Sequence, residues 1–307
     1  AGSANGGLWK STNFCQTWMS IFDNQNTSSI GALAIDPVNT NIIYCGTGEA
    51  NSLRSHYPGT GVYKSTNSGS NWAFIGLPNS YNIGSIAINP INTQEIYVAV
   101  LGATRRKNPD RGLYKSTDSG LNWTKVLYIS DSVGVVDVTL DPNNPNKIFA
   151  AAWERLRRED YIKYGGVKSG FFVSVNSGTN WTQVSNGFPN NDPTLGRISI
   201  DISKNNPSIV YALLSDASGY SKGLYKSTDG GNVWSVINSN AAPSSNYAWF
   251  NRICKVNPSN PDIVYCGGLD MHFSINGGTS FSYSGESHVD QHAVAFAPSN
   301  PNYVVLG

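Results

Sequence analysis

Residues 112–123 read GLYKSTDSGLNW, and close relatives of this stretch recur along the chain. Together they form six copies of the pattern S-x-[DN]-x-G-x-x-[WF], the first of which has Cys15 in the glycine position, and their first serines stand 47 to 58 residues apart. A short pattern repeated at such a period indicates a repeat fold, in which each copy marks one supersecondary unit. The stretch therefore predicts how the whole chain is organised.

Every position of the pattern has a role in a tight turn. The Asp or Asn oxygen can accept backbone N–H bonds, the Gly supplies a positive φ, and the final aromatic ring can pack over the turn. Asn replaces Asp in four of the six copies, which would end acid–base chemistry but preserves a turn cap. One carboxylate per turn also falls short of the oxygen ligands that calcium requires. We interpret the copies as structural turns, built on Ser11, Asn13, Trp18; Ser65, Asn67, Gly69, Trp72; Ser116, Asp118, Gly120, Trp123; Ser174, Asn176, Gly178, Trp181; Ser227, Asp229, Gly231, Trp234; and Ser274, Asn276, Gly278, Phe281.

A second pattern alternates with the first. It is an apolar alternating run that ends in a Pro/Asn turn, as in ALAIDPVN at 32–39 and SIAINPIN at 85–92. The repeating unit then reads strand, Pro/Asn turn, strand, variable loop, strand, Asp turn, strand. Four strands in about 40–60 residues is the size of a β-propeller blade.

The order of these units predicts an all-β propeller of four-stranded antiparallel blades. Five full blades lie between a half blade at 7–22 and a second half blade at 292–306. We expect a single propeller domain over 1–307. It is either a six-bladed ring closed by the two half blades or a segment of a larger propeller, with further blades or domains of the same polypeptide beside it.

The pattern S-x-D-x-G-x-x-W resembles the Asp box, also called the bacterial neuraminidase repeat. This repeat is found in sialidases, xyloglucanase-type glycoside hydrolases, sortilin-type receptor propellers and a photosystem assembly factor. The resemblance covers almost the whole chain and is greatest to the xyloglucanase/sortilin-like branch. It implies that the Asp boxes lie on the face opposite the ligand site. It does not choose among enzymes, receptors and assembly factors, because one fold can carry many functions.

Composition limits the partners. A net charge of +1 gives no reason to expect nucleic acid, and no apolar run is long enough for a membrane-spanning helix. Charged residues make up only 13% of the chain, and the polar surface is rich in Asn, Ser and Thr, which favours an exported, extracellular or cell-surface protein, with a periplasmic location also open. Among the four cysteines, Cys254 and Cys266 flank a predicted hairpin turn. They form either a cross-strand disulfide or two buried thiols.

Binding residues are expected in the variable loops, at the face opposite the two capped turns. Charged and aromatic side chains concentrate there, and we propose a ligand-binding set of Arg54, His56, Arg105, Arg106, Trp153, Arg155, Tyr161, Trp249, His288 and His292. His288, Asp290 and His292 alternate as a metal triplet would, but lining of the propeller mouth is the preferred interpretation. The sequence predicts neither a metal nor a cofactor.

The sequence leaves three hypotheses for the function of the protein. The preferred one is an exported module that binds a glycan or protein ligand on the loop face. The alternatives are a glycoside hydrolase, xyloglucanase-like or sialidase-like, and a non-catalytic structural propeller. Glycoside hydrolysis usually needs two carboxylates, and the candidates are Glu49, Glu154, Asp270 and Asp290. In the xyloglucanase-type enzymes that the chain resembles, such residues lie in a cleft between two propellers.

Overall fold

A computed structural model describes residues 1–51, 57–242, 247–285 and 289–307. These residues form strands and loops, and none of them lies in a helix. Accordingly, this part of the chain offers no helix that is long and apolar enough to span a bilayer. Candidates Arg54, His56 and His288 lie outside the described residues. The all-β prediction is confirmed.

The chain divides into two compact units. The first comprises Ala1–Val138 with Leu156–Glu159, and the second comprises Thr139–Arg155 with Asp160–Gly307. The prediction of a single domain over 1–307, and the choice between a closed ring and a segment of a larger propeller, stay predictions.

Strands up to the division are short and antiparallel. They are β1 (Trp9–Lys10), β2 (Met19–Ser20), β3 (Ile30–Ile35), β4 (Ile43–Thr47), β5 (Val62–Ser65), β6 (Ala73–Gly76), β7 (Ile83–Ile88), β8 (Ile96–Val100), β9 (Gly112–Ser116), β10 (Thr124–Leu127) and β11 (Val133–Leu140). Strands β1 and β2 form a two-stranded sheet, and β3–β6 and β7–β10 form two four-stranded sheets in sequential order.

The later strands continue the pattern. They are β12 (Ile148–Glu154), β13 (Leu156–Arg157), β14 (Ile162–Lys163), β15 (Gly170–Ser174), β16 (Thr182–Gln183), β17 (Leu195–Ile202), β18 (Val210–Asp216), β19 (Ser221–Ser227), β20 (Ser235–Asn238), β21 (Ile253–Val256), β22 (Val264–Gly267), β23 (Met271–Ser274), β24 (Ser282–Tyr283), β25 (Val294–Ala297) and β26 (Asn300–Leu306). Four-stranded sheets have the orders β11-β12-β15-β16, β17–β20 and β21–β24, and β25 and β26 form a two-stranded sheet. The described strands thus include five four-stranded sheets and a half-sized sheet near each end, as predicted, together with the short strands β13 and β14.

The second strand of each repeat is the most deeply buried. All five residues of β8 and all seven of β12 are buried, because neighbouring sheets or loops cover both faces of these strands. In the first unit, Tyr44, Val62, Ile83 and Val98 share one core cluster that joins the two four-stranded sheets. In the first unit, apolar packing between the two four-stranded sheets therefore supplies the core.

Hydrogen bonds at each Asp turn follow one scheme, seen clearly between Ser116 and Asn122. The Ser116 hydroxyl donates to Asp118 Oδ1 (2.8 Å) and accepts the N–H of Gly120 (2.8 Å), and Asp118 Oδ1 accepts the N–H of Asn122 (2.9 Å). Hydrogen bonds from Asn122, then from Ser116, hold the pKa of Asp118 down at about 2. The side-chain oxygen is a turn cap, as predicted.

The glycine and tryptophan of the turn also touch the neighbouring sheet. Gly120 has a φ of 93°, and a Cβ built on it would stand 2.5 Å from Ile75 Cδ1 of β6. The Trp123 indole N–H donates to the Ile75 carbonyl (2.8 Å), just as that of Trp72 donates to Ile21 (2.8 Å). The turn thus helps one sheet to pack on the preceding one, which extends the predicted role of the ring as a lid.

The two capped turns of each repeat lie at the same end of the sheet. Ser119 in an Asp turn donates its backbone N–H to the Gln94 carbonyl of the Pro/Asn turn (2.9 Å), and Ser68 does the same to Asn41 (2.9 Å). Equivalent bonds in the later sheets are Ser177 to Asn146, Gly230 to Ser208, and Gly277 to Asp262. The variable loops therefore emerge at the opposite sheet ends.

The cysteines follow the second of the two predicted alternatives, buried thiols. Cys254 and Cys266 are direct partners across β21 and β22, as predicted, but the structure has them as free thiols. Both are fully buried in an apolar cluster, and a hydrogen bond with Cys266 together with burial raises the pKa of the Cys254 thiol. Cys45 is buried as well, whereas Cys15 is exposed in the left-handed conformation of the first turn, with a φ of 65°. The two paired thiols act as small apolar core residues.

Replacement of Ser116 by Ala tests the turn. The variant leaves the buried N–H of Gly120 without its acceptor and should lower the free energy of unfolding by about 1–3 kcal/mol. Urea denaturation measures this change. The matched control is Asp118→Asn, which keeps the cap oxygen and should shift the unfolding midpoint less than Ser116→Ala does. Equal stability of Ser116→Ala and the parent would contradict the proposed role of the hydroxyl.

Candidate functional site

A two-residue motif opens the first strand of the early repeats, at the sheet end away from the capped turns. The motif is Ile30–Gly31 at the start of β3 and Ile83–Gly84 at the start of β7. Each glycine stands five residues before a capping Asp or Asn. A Cβ on Gly31 would overlap the carbonyl oxygen of Ile83, and one on Gly84 would overlap that of Val136. Here the motif is a packing element that lets two backbones approach.

The last two repeats carry polar residues at these positions. Asn251–Arg252 precedes Asn257, and Gln291–His292 precedes Ala297, again with five residues from the second residue to the cap position. Asn251 is fully buried, and Arg252 is only 2% exposed. An apolar–glycine motif has thus become an amide followed by a basic residue.

Strand register supports this alignment. Ile253 pairs with Gly267 in the later sheet as Ala32 pairs with Gly46 in the earlier one, so Arg252 stands where Gly31 stands. The long repeat patterns do not single out Asn251 and Arg252, because the two-residue motif lies among variable loop residues. Alignment of the repeats on their capping residues is the signal that finds it.

The segments around the two polar motifs contact each other. Asn251 donates from Nδ2 to Oδ1 of Asp290 (3.0 Å), and the rings of Phe250 and His292 meet edge to face at 4.4 Å. Asp290 has a φ of 68°, which is uncommon for a residue other than glycine. Strain of this kind often marks a functional position when the surrounding structure holds it in place.

A third loop brings a second carboxylate to the same place. Asp290 donates its backbone N–H to the carbonyl of Leu269 (2.7 Å), in the turn that closes with a bond from Gly268 to the Asp270 carbonyl. Asp270 therefore lies beside the Asp290 loop; its side chain is partly exposed, and that of Asp290 is exposed. Of the four catalytic candidates, the structure brings together these two.

His292 is held in its neutral form. Burial, assisted by the positive charge of Arg197 and opposed by Asp290, lowers the pKa of His292 to about 4. Its ring therefore carries no charge at neutral pH. The described residues contain no group of three or more His, Cys, Asp or Glu side chains placed to hold a metal ion.

Two predicted ligand contacts are internal. Trp153 and Arg155 are both fully buried. The Arg155 guanidinium stacks on the ring of Tyr164 at 4.2 Å and lies near those of Trp153 (5.5 Å) and Trp249 (5.6 Å). Trp249 is only 7% exposed and packs on Tyr164 with ring centroids 4.4 Å apart. This stack buries Trp153 and Arg155 beneath the loops, and their assignment as ligand contacts stays a prediction.

Glu154 lies at the end of β12, next to the stack. It is buried, and Oε1 forms an ion pair with Nζ of Lys163 at 2.8 Å. A carboxylate committed to a lysine in this way is a structural group and a poor catalyst. Tyr161, in the same loop, is 49% exposed and remains available for a ligand.

The remaining candidates belong to the first unit. Glu49 is buried, and its backbone N–H donates to the Ser29 hydroxyl (3.1 Å). Arg105 and Arg106 are exposed, and Arg106 bonds to the Tyr81 hydroxyl and lies 5.2 Å over the Tyr81 ring. Glu49, Arg105 and Arg106 thus lie in a different unit from Asp270 and Asp290.

Solved structures identify the class of fold. A GH74 enzyme from Niastella koreensis matches with a TM-score of 0.72 and 18% identity over 99% of this chain and 48% of that chain. An ancestral GH74 enzyme matches with a TM-score of 0.66 and 21% identity over 91% and 34%. YCF48 bound to a D1 peptide matches with a TM-score of 0.62 and 12% identity over 99% and 84%. The four-stranded sheets are thus the blades of a β-propeller.

Sequence comparison narrows the relationship. A xyloglucanase of Hypocrea jecorina (strain QM6a) is 25% identical over 213 residues, and the xyloglucanase Xgh74A of Acetivibrio thermocellus is 25% identical over 215. Each match covers 58% of this chain and 23% of the relative, so the chain spans less than a quarter of their length. No protein-family model matches. The chain is a β-propeller with a sequence relationship to xyloglucanases.

His292 makes stability depend on pH. The unfolded imidazole titrates near its ordinary pKa of about 6.5, above the folded value of about 4, so only the unfolded state binds the proton between these values. Above pH about 6.5, the neutral imidazole of His292 makes its full contribution to the free energy of unfolding. That free energy should fall by on the order of 2 kcal/mol as the pH approaches 4. Urea denaturation of the parent and of His292→Gln at pH 4, 5, 6.5 and 8 measures this. The control is His272→Gln, which should keep the pH dependence of the parent. If the free energy of unfolding falls with pH as steeply in His292→Gln as in the parent and the control, His292 is not the cause of the pH dependence.

Proposed function

We propose that the chain is a propeller of a glycoside hydrolase that acts on a xyloglucan-type β-glucan, with Asp270 and Asp290 as its catalytic carboxylates. The observation that carries the proposal is the hydrogen bond that joins the loops of these two residues, from the N–H of Asp290 to the carbonyl of Leu269. The similarity to xyloglucanases supports it. The glycoside hydrolase alternative thus takes precedence over the module that only binds.

The surroundings of the two carboxylates suit two roles. Asn251 donates to Asp290, which fixes the direction of this carboxylate, as a base or nucleophile requires. Asp270, on the adjoining turn, is left to protonate the oxygen of the leaving sugar. Both groups reach solvent, so a polysaccharide has access to them.

Exposed aromatic rings offer stacking surfaces for sugar. Tyr247 is 52% exposed, stands three residues before Phe250, and lies 6.3 Å from the Trp249 ring. Tyr161 is 49% exposed. Amphipathic rings of this kind bury their faces against a ligand and keep the hydroxyl in water. In this proposal, Tyr247 and Tyr161 replace Trp153 as the aromatic contacts.

The whole protein's activity is part of the proposal, because the chain corresponds to a fraction of the length of its relatives. In this view the chain supplies one wall of a substrate cleft, and further blades or domains supply the other. We also propose export, since a polysaccharide of this class lies outside the cell. The second candidate is binding of a glycan or protein without catalysis, which the exposed Tyr247 and Tyr161 favour.

Release of reducing sugar from xyloglucan by the purified chain tests the proposal, with cellulose and xylan for comparison. Asp270→Asn and Asp290→Asn should each lower the rate by about a hundredfold or more, because an amide cannot exchange the proton. Binding of a xyloglucan oligosaccharide, measured by calorimetry, should persist in both variants. The matched control is again Asp118→Asn, at the opposite sheet end, which should retain full activity.

Two outcomes would overturn the proposal. Saturable binding of the oligosaccharide without turnover, both by this chain and by the chain joined to the further blades or domains that complete the proposed cleft, would establish the non-catalytic module instead. Turnover that survives in both Asp270→Asn and Asp290→Asn would show that the carboxylates lie elsewhere.

A further inference from the structure

Arg252 is a buried cation, and most of its hydrogen-bond donors have no partner within the described residues. It immediately precedes β21 and is 2% exposed. Nη1 donates to the Ala242 carbonyl at 3.3 Å, whereas Nε and Nη2 have no hydrogen-bond partner among the residues that the structure describes. A buried charged group without partners costs several kcal/mol, which is why native proteins rarely contain one.

Nearby charges do not neutralise Arg252. Arg197 repels it, and Asp216 attracts it at a distance but forms no ion pair with it within the described residues. Oδ1 of Asp216 instead accepts the backbone N–H groups of Ser218 (2.8 Å) and Tyr220 (2.9 Å). Burial lowers the pKa of Arg252 to about 10, so the guanidinium still carries its charge at neutral pH.

A second buried arginine shows how this fold satisfies such a group. Arg111 is fully buried, and its Nη1 donates to the Ser132 carbonyl while its Nη2 donates to those of Ala103 and Arg106. Backbone carbonyls thus surround Arg111 on both terminal nitrogens. The two arginines differ at Nη2, which donates to backbone carbonyls in Arg111 and has no partner among the described residues in Arg252.

The unused edge of Arg252 has a definite chemistry. Nε–H and the adjacent Nη2–H point in parallel and match the two oxygens of a carboxylate or of a phosphate. Arg252 also stands where the first two full repeats have Gly31 and Gly84, so its large side chain departs from the packing of those repeats. Only a small oxyanion, or the acidic end of a larger ligand, suits a group that is so deeply buried.

We propose that Arg252, with Arg197 beside it, forms a binding site for a small oxyanion, and that its ligand class is a carboxylate such as that of an acidic sugar. The anion would accept two parallel hydrogen bonds from Nε and Nη2 of Arg252. It would also offset the repulsion between the two guanidinium groups. The site does not depend on the proposed hydrolase activity, since it needs neither Asp270 nor Asp290.

Calorimetry and thermal unfolding of the full chain test the site with acetate, glucuronate and inorganic phosphate, and with neutral glucose as the blank. We expect saturable binding of glucuronate or acetate and an accompanying rise in Tm. Arg252→Lys keeps the charge but loses the bidentate geometry, and should weaken the affinity by about tenfold or more. Arg252→Met should abolish binding.

Stability without an anion separates a binding role from a structural one. Arg252→Met removes an uncompensated buried charge, so the variant should be as stable as the anion-free parent or more stable. The matched control, Arg111→Lys, should lower Tm and leave the anion affinity unchanged.

Three outcomes would overturn the proposal: no saturable binding of any of the three anions, undiminished binding by Arg252→Met, or a marked loss of stability in Arg252→Met without an anion effect in the parent. Binding of phosphate alone would reject the carboxylate as the ligand class.

Discussion

The hydrogen bond from the N–H of the fifth turn residue, a glycine in five of the six Asp turns and Cys15 in the first, to the serine hydroxyl is the interaction on which the rest of the structure depends. In the turn at 116–123 it closes on Gly120, whose left-handed backbone leaves room for Ile75 of the preceding sheet. A side chain on Gly120 would strain the turn and separate the two sheets at the same time. Local turn geometry and packing between blades are therefore one constraint, which explains why so short a pattern recurs.

Much of the fold could be predicted from the sequence, because turn chemistry is local. Ser116, Asp118 and Gly120 interact within five residues, so their spacing alone indicates their geometry. The pairing of Cys254 with Cys266 was also predictable from the hairpin register, but the state of the sulfurs was not, because register brings two thiols together whether or not they are oxidised.

The site was predictable only in part, since it depends on contacts between distant segments. Asp270 and Asp290 could be chosen as acidic loop residues, but their association depends on one backbone bond between loops. Arg155 has the charge and the loop position expected of a ligand contact, and only its stacking on Tyr164 shows that it is internal. Arg252 was missed because its significance lies in a departure from the repeat, which becomes visible once the blades are aligned.

The first Asp turn differs from the others in a way that has a practical use. Cys15 occupies its glycine position and is exposed, whereas Cys45, Cys254 and Cys266 are sealed in the core. Thiol reagents act on the accessible thiolate, so a maleimide dye would attach to the unmodified folded chain at Cys15. The chain thus carries a natural attachment point for a fluorophore at a turn, far along the sequence from the loops of Asp270 and Asp290.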